Sequence, residues 1–377
     1  MIDETSVGQG MTYASTGVSY EAMDPFKIEA QQAAVQTAGN IECHSYWEVP
    51  ESRGESVYLI EGRDNYLAHV EEGLGTKNLV ADAMYDRTGK SYYAAIAQDT
   101  VAMIVNDMIT LGAKPLSVAM HLAVGDSEWF ADQQRRHNLI DGWKKACDLA
   151  GCVWGGGETP TLKGVVYPNA VVLSGSAMGI IQPKKHRILG NIVHGDQIIM
   201  LASSGIHANG LTMARKIAEN LPEGYLTKLS DGRTYGETLL EPTIIYARLI
   251  EDLLNIGTDI HYAVNITGHG WRKLMRSQLS FTYVITEMPK QQPLFDFIKE
   301  HGAVCDEEMY GNFNMGAGFA IYVPKHEVER VLTIVESYKD DRKLTAWHAG
   351  YIEESSERKV VIRPKNITFE GSTLNVR

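Results

Sequence analysis

The chain is short of several things, and each shortage excludes something. Only four of its 377 residues are cysteine (Cys43, Cys147, Cys152 and Cys305), with no CxxC pair among them. A disulfide framework is therefore not expected, and a reducing cytosol is the expected compartment. No segment approaches the ~18 uncharged apolar residues of a membrane span, and no basic start leads into a long apolar run, which disfavours both membrane insertion and secretion. Cations are in deficit. Lys and Arg number 35 against 47 Asp and Glu, giving a net charge of −12 and a pI of about 5.5. Such a field repels polyanions and disfavours a nucleic-acid or anionic-membrane surface. A phosphate-bearing ligand must then be small and held by local devices, metal ions foremost.

What is present is a globular composition, 44% hydrophobic with a mean hydropathy of −0.19, in a chain whose length suits two domains. Residues 1–25, polar and rich in Gly, Ser and Thr, read as an arm or loop. Apolar periodicity predicts strands over 57–62, 66–72, 115–124, 170–181, 197–203, 280–288, 319–323 and 344–352, and helices over 98–111, 127–150, 210–220, 239–256, 291–301 and 325–338. Strands and helices cluster in each half, which favours an α+β class with two domains. Pro, Gly and charge interrupt the apolar pattern across 182–196, so the expected domains are 1–185 and 190–365.

Four acidic positions stand out. In HVEEGLGTK, His69 to Lys77, adjacent strand side chains point to opposite faces, so only one of Glu71 and Glu72 can serve a given site. Glu72 is the better candidate because it abuts Gly73 and Gly75, where backbone can approach a ligand. In the predicted helix AQDTVAMIVNDMITLGAKP, Asn106 returns to the face of Asp99 roughly 10 Å along the axis, a span comparable to a triphosphate, and Asp107 lies about 80° round. A buried mid-helix Asp needs a partner or a metal. In WGGGETP, Gly156 and Gly157 expose backbone beside Glu158. Together Glu72, Asp99, Asp107 and Glu158 are hard oxygen ligands of the kind Mg²⁺ accepts. Each stretch alone is equally a charged turn or a solvated face.

Glycine-rich turns supply the complementary features. SSGIHANG (203–210) precedes a predicted helix, and free N–H groups at a helix start suit phosphate, with His207 and Asn209 as further donors. An N-capping turn with a surface histidine fits this stretch equally. NITGHG (265–270) joins strand to helix, EMYGNFNMGAGF (308–319) reads as a loop running into a strand, and Lys77 either offsets a phosphate or is simply solvated.

TGVSYEAMD, EEGLGTK, QDTVAMIVNDMITLGAKPL, GGGETP, SSGIHANGLTMARKI, LLEPTIIY, NITGHG and EMYGNFNMGAGF occur in the order and near the spacing of phosphoribosylformylglycinamidine cyclo-ligase, the aminoimidazole ribonucleotide (AIR) synthetase family. The resemblance covers Tyr13 to Val361. It implies a homodimer whose N-terminal strands form a shared barrel, with C-terminal α/β domains outside. It also implies a cytoplasmic enzyme of purine biosynthesis that uses ATP and Mg²⁺ to close the imidazole ring of formylglycinamidine ribonucleotide, releasing ADP and phosphate. On the matching positions, Glu72, Asp99, Asp107 and Glu158 are implied metal ligands. Gly73, Gly75, Thr76, Lys77, Asn106, Gly156, Gly157, Ser204, Gly205 and Asn209 are implied nucleotide contacts, and His207, Asn265 and His269 are implied catalytic groups.

Several motif positions depart from the family pattern. Glu72 stands where Asp is usual, Ser19 closes Gly17-Val18-Ser19 in place of Asp, and Gln31 takes a lysine position, with Lys27 one turn earlier. Asn265 replaces a histidine and cannot exchange a proton near neutral pH, while His269 replaces a glycine. Gly311-Asn312 replaces Arg-Thr, and ECHSYWEVPESRGES (42–56) replaces a glycine-rich loop. The departures leave two alternatives: an ATP-using relative acting on another small substrate, and a nucleotide-binding regulator without turnover.

Overall fold

The computed structural model describes residues 11–12, 20–188, 190–338 and 344–374. Gly17, Val18 and Ser19, with most of the expected N-terminal arm, lie outside the described residues. The first half holds α1 (Tyr20–Val35), β1 (Trp47–Glu48), β2 (Tyr58–Glu61), β3 (Tyr66–Gly73), α2 (Lys77–Thr88), α3 (Tyr93–Met108), β4 (Lys114–Val124), α4 (Gln133–Ala150), β5 (Val153–Glu158) and β6 (Val171–Ile181). Its six strands form one sheet in the order β1-β2-β3-β6-β4-β5, antiparallel except where β5 runs parallel to β4.

The helix α3 lies on one face of this sheet, buried along nearly its whole length. Two glycines in β6 make that approach possible: a Cβ on Gly179 would stand 2.3 Å from Met108 Sδ, and one on Gly175 3.0 Å from Ile104 Cδ1. The opposite face is uncovered, with Met178 59%, Val172 50% and Leu116 41% exposed. The chain alone thus makes an open half-barrel whose edges are β1 and β5.

The second half holds β7 (Gln197–Ala202), α5 (Leu211–Asn220), α6 (Tyr235–Leu239), α7 (Ala247–Asn255), β8 (Tyr262–Asn265), β9 (Phe281–Ile285), α8 (Pro293–His301), α9 (Asp306–Asn312), β10 (Ala317–Val323), α10 (Val328–Glu336), β11 (Ala346–Glu354), β12 (Lys359–Ile362) and β13 (Ile367–Glu370). Its seven strands order as β13-β12-β9-β11-β7-β10-β8. The strand β10, between β7 and the edge strand β8, is buried at every residue. This sheet continues through β13, beyond residue 365.

Three local expectations are corrected. The helix expected over 239–256 is realised only from Ala247; residues 241–246, with Pro242, form no regular element. The start of 308–319 is the helix α9 rather than loop. The glycine run of WGGGETP belongs to the strand β5, because a Cβ on Gly157 would stand 2.0 Å from Met120 O on β4.

Candidate active site

The polar side chains of α3 organise the junction between the two halves. Asp99 Oδ1 accepts from the Thr243 N–H at 2.8 Å, and Gln98 Nε2 donates to Thr243 O at 2.9 Å. Further along, Asn106 Nδ2 donates to Ile244 O at 2.8 Å while its Oδ1 accepts from the Tyr246 N–H at 3.0 Å. The face shared by Asp99 and Asn106 is therefore occupied by the chain's own backbone, residues 243–246, and not by a triphosphate.

Lys77 completes this seam. Its Nζ lies 2.8 Å from Asp99 Oδ2 with both side chains fully buried. It also donates to His207 O at 2.9 Å and Glu241 O at 2.8 Å. A buried ammonium needs such compensation. Lys77 thus pins one half to the other, and both it and Asp99 are spent on that bond set.

Beyond the seam opens a cavity of about 350 Å³ lined from both halves: Glu55, Glu72 and Asp107 from the first, His269, Lys273 and Arg276 from the second, with Lys27 of α1 at its edge. Along β3 Glu72 is partly buried and Glu71 exposed, yet both line the cavity, so the expectation that only one of the two could serve a given site is corrected. Burial and the neighbouring Asp107 carboxylate push Glu72 up to about 7, and Lys273 acts against them. Asp107 Oδ1 accepts from Asn265 Nδ2 at 2.7 Å. Asn265 is thereby a positioning donor to a carboxylate rather than a proton-transfer group.

Burial and Arg276 bring Lys273 down to about 8, against the pull of Asp107 and Glu72. Burial, then Lys273, Lys27 and Arg272, hold His269 neutral down to about 3. It sits at φ 67, a left-handed conformation uncommon for a residue with a Cβ. Arg276 Nη2 donates to Gly54 O at 2.9 Å, and Tyr262 Oη donates to Glu55 Oε2 at 3.1 Å, which anchors the 42–56 segment to the second half. The charge absent at Gly311 is supplied from elsewhere: Arg272 Nη1 donates to Gly311 O at 3.3 Å, and a Cβ at Gly311 would stand 2.7 Å from Arg272 Nη2.

Other expected positions lie apart from this cavity. Glu158, Gly156 and Gly157 are on the exposed edge strand β5, and Glu158 lines a neighbouring depression with His121, Ser174 and Glu71, the last of which also lines the cavity. Gly73, Gly75 and Thr76 form the turn from β3 into α2, where Gly75 takes φ 73 and Thr76 makes no capping bond. Ser204 Oγ donates to Pro242 O at 2.6 Å, and Gly205 O accepts from Asn314 Nδ2 at 2.9 Å. His207 Nε2 accepts from the Ser204 N–H at 3.2 Å, and burial with Lys77 nearby brings it down to about 3. Asn209 precedes Gly210, where a Cβ would stand 2.3 Å from the Phe313 ring, so Phe313 covers the start of α5.

Among the described residues no cluster of three or more His, Cys, Asp or Glu could hold a metal ion. Of the four carboxylates expected as ligands, Glu72 and Asp107 line the cavity, Asp99 is paired with Lys77 and Glu158 lies on β5. Glu55, Lys273 and Arg276 were missed by sequence reasoning. The one available signal was the cationic run WRKLMR directly after NITGHG.

The fold of two α+β halves is shared with several solved structures. The HypE-HypF complex structure superposes with a TM-score of 0.60 at 19% identity, covering 84% of this chain and 92% of that one. The structure described as AaThiL complexed with AMPPCP and TMP gives 0.55 at 14% identity, covering 84% and 91%. Residues 56–181 match the N-terminal domain, and 193–363 the C-terminal domain, of AIR synthase related protein. The chain is 32% identical over 351 residues to the phosphoribosylformylglycinamidine cyclo-ligase of Methanococcus maripaludis, covering 92% of this chain and 93% of that protein. It belongs to the AIR synthase family.

Proposed function

We propose that this protein closes the imidazole ring of formylglycinamidine ribonucleotide, converting it with ATP to AIR, ADP and phosphate. The observation that carries the proposal is the full-length likeness to a cyclo-ligase, joined to a cleft in which carboxylates of one half face cations of the other. An amide oxygen is a poor leaving group. Transfer of the γ-phosphoryl group to the formyl oxygen makes it a good one; an internal nitrogen then attacks that carbon and phosphate departs. Lys27, Lys273 and Arg276 supply positive charge for anionic substrates, and enclosure between the halves limits hydrolysis of the activated amide.

The Glu72 and Asp107 pair fits a divalent cation. Burial first and Asp107 second raise Glu72 to about 7, and a cation held by the two carboxylates would relieve both costs. Mg²⁺ held there would neutralise phosphate charge during transfer. Asn265 keeps Asp107 oriented toward it.

A homodimer is part of the proposal, supported by the uncovered apolar face of the first sheet. A cytoplasmic location is supported by cysteine usage, and among the described residues no helix is long and apolar enough to cross a membrane. The test is to incubate purified protein with ATP, Mg²⁺ and formylglycinamidine ribonucleotide. Equal amounts of ADP and AIR support the proposal; ADP without AIR points to another substrate, and ATP binding without ADP to a regulator.

A further inference from the structure

The helix α4 ends in a Schellman turn. Gly151 takes φ 77, its N–H bonds to Asp148 O at 3.3 Å, and the Cys152 N–H bonds to Cys147 O at 3.1 Å. This motif brings the side chains flanking its glycine together, usually as an apolar contact. Here both are cysteines. Cys152 Sγ donates to Cys147 O at 3.8 Å, and the neighbouring thiols favour the thiolate on Cys152 and disfavour it on Cys147. A second contact one turn away holds the same two elements in register: Trp143 of α4 packs on Trp154 of β5 with ring centroids 6.0 Å apart.

We propose that Cys147 and Cys152 form an oxidisable dithiol site that takes hydroperoxides and trivalent arsenicals. Cys152 is half-buried and reachable, whereas Cys147 is buried behind it. The Cys152 thiolate attacks the terminal peroxide oxygen; the O–O bond breaks, water from hydrogen peroxide or the alcohol from an organic hydroperoxide leaves after protonation, and Cys152 becomes a sulfenic acid. Cys147 sulfur then attacks Cys152 sulfur, an S–S bond replaces the S–O bond, and water departs with the Cys147 proton. Two thiols lose two electrons and one peroxide gains them. The product ties the last turn of α4 to the residue that leads into the edge strand β5. Cys43 and Cys305 are more exposed and serve as internal controls.

The test treats the whole protein with one equivalent of hydrogen peroxide, blocks free thiols and maps peptides by mass. The expected result is a Cys147–Cys152 linkage with the mass of two hydrogens lost, reversed by dithiothreitol, while Cys43 and Cys305 remain open to alkylation. Phenylarsine oxide should bind one per chain, with binding lost in Cys147→Ser and in Cys152→Ser. Oxidation of Cys43 and Cys305 with the pair still alkylatable, or arsenical binding unchanged in either variant, would overturn the proposal.

Discussion

Asn265 Nδ2 donates to Asp107 Oδ1 across 2.7 Å, joining the end of β8 to the end of α3. One Asp107 oxygen is thus fixed by a neutral amide that donates at any pH. The same carboxylate adjoins Glu72 at the cavity. An asparagine in a position the family fills with histidine therefore has a defined task here, orienting a carboxylate.

Asp107→Asn should weaken Mg-ATP binding at least about tenfold, roughly 1.4 kcal/mol, while the unfolding midpoint moves little. Calorimetric titration and thermal melts on the same samples separate the two effects. Unchanged nucleotide affinity would remove Asp107 from the metal pair.

The Lys77–Asp99 pair, fully buried, is expected to act on stability. Asp99→Ala leaves an ammonium without its counter-charge, a change that commonly costs about 3–5 kcal/mol. Adding Lys77→Met should recover part of that loss in urea denaturation. A single variant as stable as the parent would contradict the assigned seam.

His207 gives a pH dependence with a definite sign. Its pKa falls from the ordinary value to about 3 on folding, so the unfolded chain binds the extra proton first. The stability it contributes is whole above about pH 6.5 and is lost as pH falls toward 3, at up to about 1.4 kcal/mol per unit. His207→Asn, which tolerates the left-handed backbone at φ 59, should flatten the melting-temperature profile in that window. An unaltered profile would show that His207 titrates normally.

The uncovered sheet face predicts association. Met178→Glu or Val172→Asp, each at a half-exposed apolar position, should shift sedimentation from dimer toward monomer without loss of secondary structure. A dimer that persists in both variants would place the interface elsewhere.

Local pattern made much of this protein legible. Strands such as β4 and β6 carry long apolar runs, and alternation along β3 leaves Glu72 more buried than Glu71, although both reach the cavity. What escaped depends on partners distant in sequence. The segment 240–246 is apolar enough to suggest a helix, yet Gln98, Asp99 and Asn106 bond its backbone and it forms no regular element. The helical period correctly aligned Asp99 with Asn106, but it could not say that chain, and not phosphate, fills the span. Gly155 to Gly157 look like a turn because glycine is a poor strand former; only the closeness of β4 gives them a strand's place. Lys273 and Arg276 follow a glycine turn in a short helix, and nothing nearby in sequence announces the carboxylates they meet.

The most direct measurement follows ADP and AIR together during turnover of formylglycinamidine ribonucleotide by the parent protein and by Glu72→Gln, with ATP and Mg²⁺ present. The account predicts one AIR for each ADP from the parent and a large loss of both in the variant. ATP hydrolysis without AIR from the parent, or full activity in Glu72→Gln, would contradict it.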